Sequence, residues 1–257
     1  MTSQRIPLFG IEIDCVQMPQ AVARIYDWLR DDAGCRYVVT PNVDHTVILQ
    51  QHAELRAAYA GAGLVLADGF PVVLASKLVG RPLPALVPGS DLVPALFTAA
   101  AEHRGVKVFL LGAAPGVAQR AAERIQQRWP AVEVVGCYSP PLGFEHDDAE
   151  NARIIAQVNA AQPDLLVLGF GAPKQELWIA QHQAQLQAKC ALCVGATIDF
   201  LAGEKRRAPV WMRRLRLEWL HRVATEPRRL FKRYARDAWV FPQLVWREWR
   251  QRDLATR

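Results

Sequence analysis

Short apolar runs that end in polar or glycine-rich clusters, separated by helical stretches, constrain this chain more than any other feature. Tyr37-Val-Val-Thr40 runs into Pro41-Asn42, Leu64-Val-Leu-Ala67 into Asp68-Gly69, and Lys107-Val-Phe-Leu-Leu111 into Gly112-Ala-Ala-Pro-Gly116. Further along, Val132 to Cys137 forms another such run, Asp164-Leu-Leu-Val-Leu168 meets Gly169-Phe-Gly171, and Cys190 to Val194 meets Gly195-Ala-Thr-Ile-Asp199. Runs that are apolar on both sides need cover on both faces, which predicts a parallel sheet between helices. In such a sheet the ligand crevice opens beyond the carboxyl ends of the strands, where these clusters sit. Two intervening readings are a single short strand over Leu8 to Asp14 and one helix from about Asp44 to Tyr59.

Charge then divides the chain. From Gly203 to Arg257 there are 16 Lys and Arg against 6 Asp and Glu, a net +10, whereas the first 202 residues carry 15 against 19. The formal +6 of the whole is the sum of a mildly acidic body and a basic tail, and the tail holds five of the eight tryptophans, Trp211, Trp219, Trp239, Trp246 and Trp249. The expected architecture is a Rossmann-like, mostly parallel α/β sheet over residues 1–202 with a basic helical appendage over 203–257. Within that appendage a helix is expected from about Pro209 to Ala224, and Pro227 suits the first turn of another. The second helix is expected to group Leu230, Phe231, Tyr234 and Ala238 on one side and Arg229, Lys232, Arg233 and Arg236 around the other. No secretory apolar block is visible near Met1, and no run reaches the ~18 apolar residues of a spanning helix. Five scattered cysteines suit a reducing cytoplasm, and Cys190-Ala-Leu-Cys193 reads as a core strand rather than a metal or redox site.

Several clusters admit both a structural and a chemical reading. Gly112 to Gly116 is either a tight turn or a phosphate contact at a helix start. In Thr40-Pro-Asn42-Val-Asp44-His45, Asn42 or Asp44 can cap a helix, but a cap uses one of these side chains and not the set. Asp68 is either an Asp-Gly turn or a carboxylate poised as a general base at a strand end. Gly169-Phe-Gly171 lets the backbone approach a ligand, and Lys174, Gln175 and Glu176 crowd the first turn of the helix that Pro173 opens. Asp199, with Lys205, Arg206 and Arg207 behind it, is either a loop salt-bridge set or the start of an anion clamp. No Asp-x-Asp metal motif and no dinucleotide fingerprint occurs, so departing phosphates would be met by Arg, Lys and backbone amides, with neither metal nor cofactor. The tail suits either an anionic bilayer or single-stranded nucleic acid, and the absence of a nucleic-acid-binding motif favours the bilayer. An exposed apolar tail face can also pack against a second copy of the chain.

Thr40-Pro-Asn42, Ala67-Asp-Gly69, Pro88-Gly-Ser-Asp91, Gly169 to Trp178, Gly195 to Phe200, Arg207 to Trp211, Leu217 to Leu220 and Glu226-Pro-Arg-Arg229 occur in that order, within about residues 8 to 236. This set resembles the bacterial WecG/TagA/CpsF glycosyltransferases, glycosyltransferase family 26. The resemblance implies a metal-independent, inverting transfer from a UDP-sugar to a polyprenyl-diphosphate-linked sugar at the inner face of the plasma membrane. It implies donors such as UDP-N-acetylmannosamine, its uronic acid or UDP-glucose. By motif position it implies Asp68 as catalytic base and Thr40, Asn42 and Gln175 as active-site polar residues, and the residue clusters add Gly171 and Asp199 to the expected substrate site. It also implies Arg222, Arg229 and Lys232 on an appendage that closes over the diphosphate. One position departs: the family often carries an arginine two residues before the Pro88-Gly turn, where this chain has Leu86; either Arg81 nearby substitutes, or the donor or acceptor differs from that of the N-acetylmannosamine enzymes. The competing reading from the residues alone is a non-enzymatic nucleotide- or nucleic-acid-binding regulator with a basic tail.

Overall fold

The computed structural model describes residues 4–205, 208, 209, 211, 212 and 218–255; the side chains of 218, 222, 227, 229 and 252–255 lie outside the description. Six strands form one parallel sheet: β3 (Arg36–Val39), β4 (Leu64–Val65), β5 (Val106–Gly112), β6 (Val132–Tyr138), β7 (Leu165–Gly169) and β8 (Cys190–Cys193). Their order is β4-β3-β8-β7-β5-β6. Alternate side chains feed two cores. Tyr37, Val39, Phe109, Leu111, Leu166, Leu168 and Cys193 pack on one face, and Val38, Val108, Leu110, Leu165, Val167 and Cys190 on the other. The first face is covered by α2 (Val43–Ile48), α3 (Ala53–Ala60), α4 (Phe70–Leu78), α7 (Asp148–Ala161) and α8 (Lys174–His182). The second is covered by α1 (Met18–Leu29), α5 (Gly89–Ala99), α6 (Val117–Arg128) and α9 (Thr197–Ala202). Cys190 and Cys193 are fully buried, and burial pushes both thiols well above their usual range, as a core strand requires.

The chain leaves β3 toward the β4 edge and leaves β5 toward the β6 edge, so β8 and β7 lie between two connections running opposite ways. That divergence opens the crevice at the strands' carboxyl ends.

Three elements differ from expectation. Leu8 to Asp14 is not one strand: β1 (Arg5–Leu8) and β2 (Ile11–Asp14) form an antiparallel hairpin. Its turn residues Phe9 and Gly10 have φ of 56° and 83°, the left-handed pair a two-residue hairpin turn demands. Phe9 is a poor turn former by sequence, but its ring is fully buried and lies 5.3 Å from that of Phe241. The helix expected over 44–59 is two helices, because the His52 side chain accepts from Leu55 N–H at 3.3 Å and starts α3 afresh.

The tail carries α10 (Glu218–Thr225) and α11 (Pro227–Ala255), and α11 continues through Pro242. Its faces are partitioned differently from the sequence grouping. Leu230, Asp237, Leu244 and Glu248 are buried, whereas Phe231, Ala238, Trp239, Trp246 and Trp249 are exposed. The gaps of seven, seven and four residues in the buried set keep it on one helix face, the docked one, and Leu244 joins the core beside α2 and the hairpin. Glu248 fastens this end: it accepts from Phe9 N–H at 2.9 Å and pairs with Arg81 at 3.1 Å. Arg81 also donates to the Pro7 carbonyl, so it anchors the tail instead of substituting at position 86, and Leu86 packs against the core.

Candidate active site

The loop after β3 is tied to its neighbours on both sides. Thr40 is buried and its hydroxyl donates to the Cys193 carbonyl at the end of β8, at 3.0 Å. On the other side Asp68 N–H donates to the Pro41 carbonyl at 2.9 Å. Asn42 caps α2 by accepting from His45 N–H at 3.3 Å, so the capping reading of this side chain holds. Gly69, at φ 114°, starts α4 with its α-carbon against Asn42, where a Cβ would lie 3.8 Å from the Asn42 Cβ. Thr40, Asn42 and the half-buried Asp68 therefore share one corner of the crevice.

The facing corner is built by the β7–α8 connection. Gly112 and Gly169 approach so closely that a Cβ on Gly112 would sit 2.8 Å from the Gly169 backbone, which explains glycine at the end of β5. Gly171 has φ 81°, and Gln175 N–H donates to its carbonyl at 3.1 Å. The Gln175 side chain is buried: its oxygen accepts from Gly195 N–H at 3.2 Å, and its amide nitrogen donates to Glu176 Oε1 at 2.8 Å. Asp199 lies in the first turn of α9, and its carbonyl accepts from the N–H groups of Glu204 and Lys205. Lys205 itself pairs with Glu226 at 3.3 Å, and Arg206 and Arg207 lie outside the described residues.

Behind the β3 corner lies a buried pair absent from the sequence reading. His45 Nδ1 is 2.7 Å from the Tyr59 hydroxyl. Burial, with the Arg233 charge nearby, lowers the His45 pKa to about 4, so the ring is neutral at physiological pH. The Tyr59 phenol is pushed well up, first by burial and then by the Glu176 charge, so it stays protonated. Glu176 is itself fully buried, and burial raises its pKa to about 7.

An open cleft of ≈ 510 Å³ is lined by Asp44, Ile48, Ala172, Lys232, Arg233 and Arg236. Arg236 hydrogen-bonds one oxygen of Asp44, and Arg233 pairs with the other at 3.5 Å. Lys232 is exposed at this cleft. The side chains of Arg222, on α10, and Arg229, on α11, lie outside the description. Asp44, Arg233 and Arg236 were visible in the sequence only as members of larger polar groups. Their pairing spans about 190 residues, and no local pattern encodes it.

A parallel sheet with its polar clusters gathered at the carboxyl ends, and a cationic helix packed on α2 beside them, is the arrangement of an α/β enzyme with its site at the strand ends. The Glycosyl transferase WecG/TagA/CpsF family matches residues 6–255, and the chain belongs to that family. It is a glycosyltransferase of the hexosyl-transferring kind, which removes the regulator reading. The N-acetylglucosaminyldiphosphoundecaprenol N-acetyl-beta-D-mannosaminyltransferase of Staphylococcus aureus (strain MRSA252) is 30% identical over 228 residues, covering 88% of this chain and 87% of that protein. Enzymes of the same name from Staphylococcus aureus strains NCTC 8325 / PS 47 and COL are each 29% identical over the same shares.

Proposed function

We propose that the protein is an inverting, metal-independent transferase that moves a hexose from a UDP-sugar to a sugar carried on polyprenyl diphosphate. The donor sugar is N-acetylmannosamine, its uronic acid or glucose. The S. aureus relatives, by name, transfer N-acetylmannosamine to N-acetylglucosaminyl-diphosphoundecaprenol, and this supports a lipid-diphosphate acceptor here. The observation that carries the reading is the cleft: Lys232, Arg233 and Arg236 of α11 line an open space of ≈ 510 Å³ together with Asp44 and Ile48 of α2 and Ala172 of the β7–α8 connection.

In this reading residues 1–202 hold the donor and residues 203–257 close over its diphosphate. Asp68 takes the proton from the acceptor hydroxyl, and that oxygen attacks the anomeric carbon from the face opposite UDP. Arg222, Arg229 and Lys232 offset the charge that builds on the departing diphosphate, as charge-assisted donors aimed at the leaving group. Thr40, Asn42, Gln175, Gly171 and Asp199 shape the sugar-nucleotide pocket. The enzyme works at the cytoplasmic face of the plasma membrane as a peripheral protein, with the tail on anionic lipid and self-association through the tail when lipid is absent. Among the described residues no helix is long and apolar enough to cross a membrane.

The test is UDP release over a panel of UDP-sugars with N-acetylglucosaminyl polyprenyl diphosphate and a membrane mimic. One donor should dominate, and Asp68→Asn should lower kcat at least a hundredfold while UDP still binds. Full turnover by a folded Asp68→Asn protein would remove Asp68 as base.

A further inference from the structure

Beneath the crevice lies a carboxylate that the transfer chemistry leaves unused. Glu176 is fully buried at the start of α8, with Oε1 accepting from the Gln175 amide and Oε2 buried with no hydrogen-bond partner. A buried, unpartnered carboxylate oxygen destabilises a fold, and an apolar side chain of the same size would pack there more favourably. The groups around it do not neutralise it. The facing side chains are Tyr59 from α3 and Cys193 from β8, both held neutral by burial, and neutral His45 stands behind Tyr59. Asp68 and Asp44, whose charges also bear on Tyr59, add only negative charge. Lys174, on the same helix turn, is committed to Glu145 at 2.6 Å.

What Glu176 does is orient its neighbour. An amide side chain can present either its oxygen or its NH2 to Gly195, and only the oxygen can accept from the Gly195 N–H. Because Glu176 Oε1 takes a hydrogen from the NH2 group, the oxygen is left facing Gly195 at 3.2 Å. Gly195 has φ 56° and opens the turn from β8 into α9, directly after the strand end that Thr40 holds through Cys193.

We propose that Glu176 is a positioning residue of the transferase: it fixes the Gln175 amide so that its oxygen holds Gly195 N–H, and thereby sets the β8–α9 turn at the floor of the sugar-nucleotide crevice. This rests on the reading of that crevice as the transfer site. Glu176 lies at the foot of the relay and touches no reacting atom. Its pKa of about 7 means that a good part of the population carries a buried charge near neutrality, a stability cost retained for geometry.

The test uses the full chain in Glu176→Leu and Glu176→Gln forms. Leucine removes the acceptor and the buried charge together, whereas glutamine keeps an acceptor oxygen without the charge. Three quantities are read at pH 8: Tm, kcat with the preferred donor, and the hydrogen-exchange rate of the Gly195 amide. Glu176→Leu should hold Tm at or above wild type, lower kcat at least tenfold, and speed Gly195 exchange at least tenfold. Glu176→Gln should bring both rates back to within about threefold of wild type. A Leu variant with turnover and Gly195 protection within twofold of wild type overturns the proposal. So does a parallel fall of Tm and kcat in both variants, which marks a purely structural residue. If the wild type releases UDP from no donor, the transferase reading fails on that result alone, and Gly195 exchange still decides whether Glu176 positions the turn.

Discussion

Arg236 of α11 donates to the carboxylate of Asp44, the second residue of α2, across 192 positions of sequence. Arg233, one turn earlier, takes the other Asp44 oxygen at 3.5 Å. Asn42 caps this same helix, so the tail and the β3 loop share a mount. Asp44→Ala leaves two guanidinium groups side by side without their common acceptor. Both arginines are partly exposed, so the cost in stability is small, about 1 kcal/mol. The larger effect falls on the donor: KM for the UDP-sugar should rise at least fivefold in steady-state assays. An unchanged KM would separate this pair from the crevice.

Glu248 anchors the far end of α11 through two partners, Phe9 N–H and Arg81. Phe9 is fully buried, so Glu248→Ala strands a buried backbone donor. That loss costs about 1–3 kcal/mol. Limited proteolysis should then cut within residues 230–255 faster than in wild type, and Glu248→Gln, which keeps one acceptor, should restore most of the protection.

Two fully buried groups, His45 and Glu176, make opposing contributions to the pH dependence of stability. His45 has a folded pKa of about 4 against the ordinary 6.5, so the unfolded chain binds more protons in that window and stability falls as pH drops from 6.5 through 4. Glu176 has a folded pKa of about 7 against 4.5, so the folded chain binds more protons and stability falls as pH rises from 4.5 through 7. Each contribution is on the order of 3 kcal/mol, and they oppose one another between pH 4.5 and 6.5. Denaturant midpoints should therefore be nearly flat across that range in wild type. In Glu176→Gln they should climb with pH, led by His45, with the burial-lowered His182 acting in the same direction. A flat profile in the variant would refute the assignment.

Trp239 and Trp246 stand 76% and 59% exposed on the undocked face of α11, among arginines. Aromatic rings at headgroup depth with Arg beside them suit an anionic bilayer. Replacing both by Ala should lower co-sedimentation with phosphatidylglycerol vesicles at least tenfold and leave Tm unchanged, because neither ring is in the core. Stronger retention on single-stranded RNA than on these vesicles would contradict the lipid assignment.

The parallel sheet was legible because doubly covered strands leave near-continuous apolar runs, and every expected strand from Tyr37 onward formed at its place within a residue or two. Thr40, Asn42 and Asp68 were legible as polar residues at the ends of those runs. The misread parts depend on partners distant in sequence. The Phe9-Gly10 turn is stabilised by a ring on α11, and the outward face of Phe231 is decided by the docking of Leu230 and Leu244. α11 survives Pro242, whose cost is about 3 kcal/mol, because the residues around it are fixed by the body. Glu176 was noticed beside Gln175, but its burial could not be seen in a helix start that reads as polar.

The bond between Phe9 and Glu248 joins positions 239 residues apart. During synthesis the hairpin emerges long before Glu248, so the Phe9 amide keeps water as its partner until α11 docks and buries it. The parallel sheet can pair before then. A chain interrupted before α11 would thus hold most of its core and lack the cationic wall of its cleft. On the proposed function such a product would lack the side chains that meet the departing diphosphate, so it would not turn over.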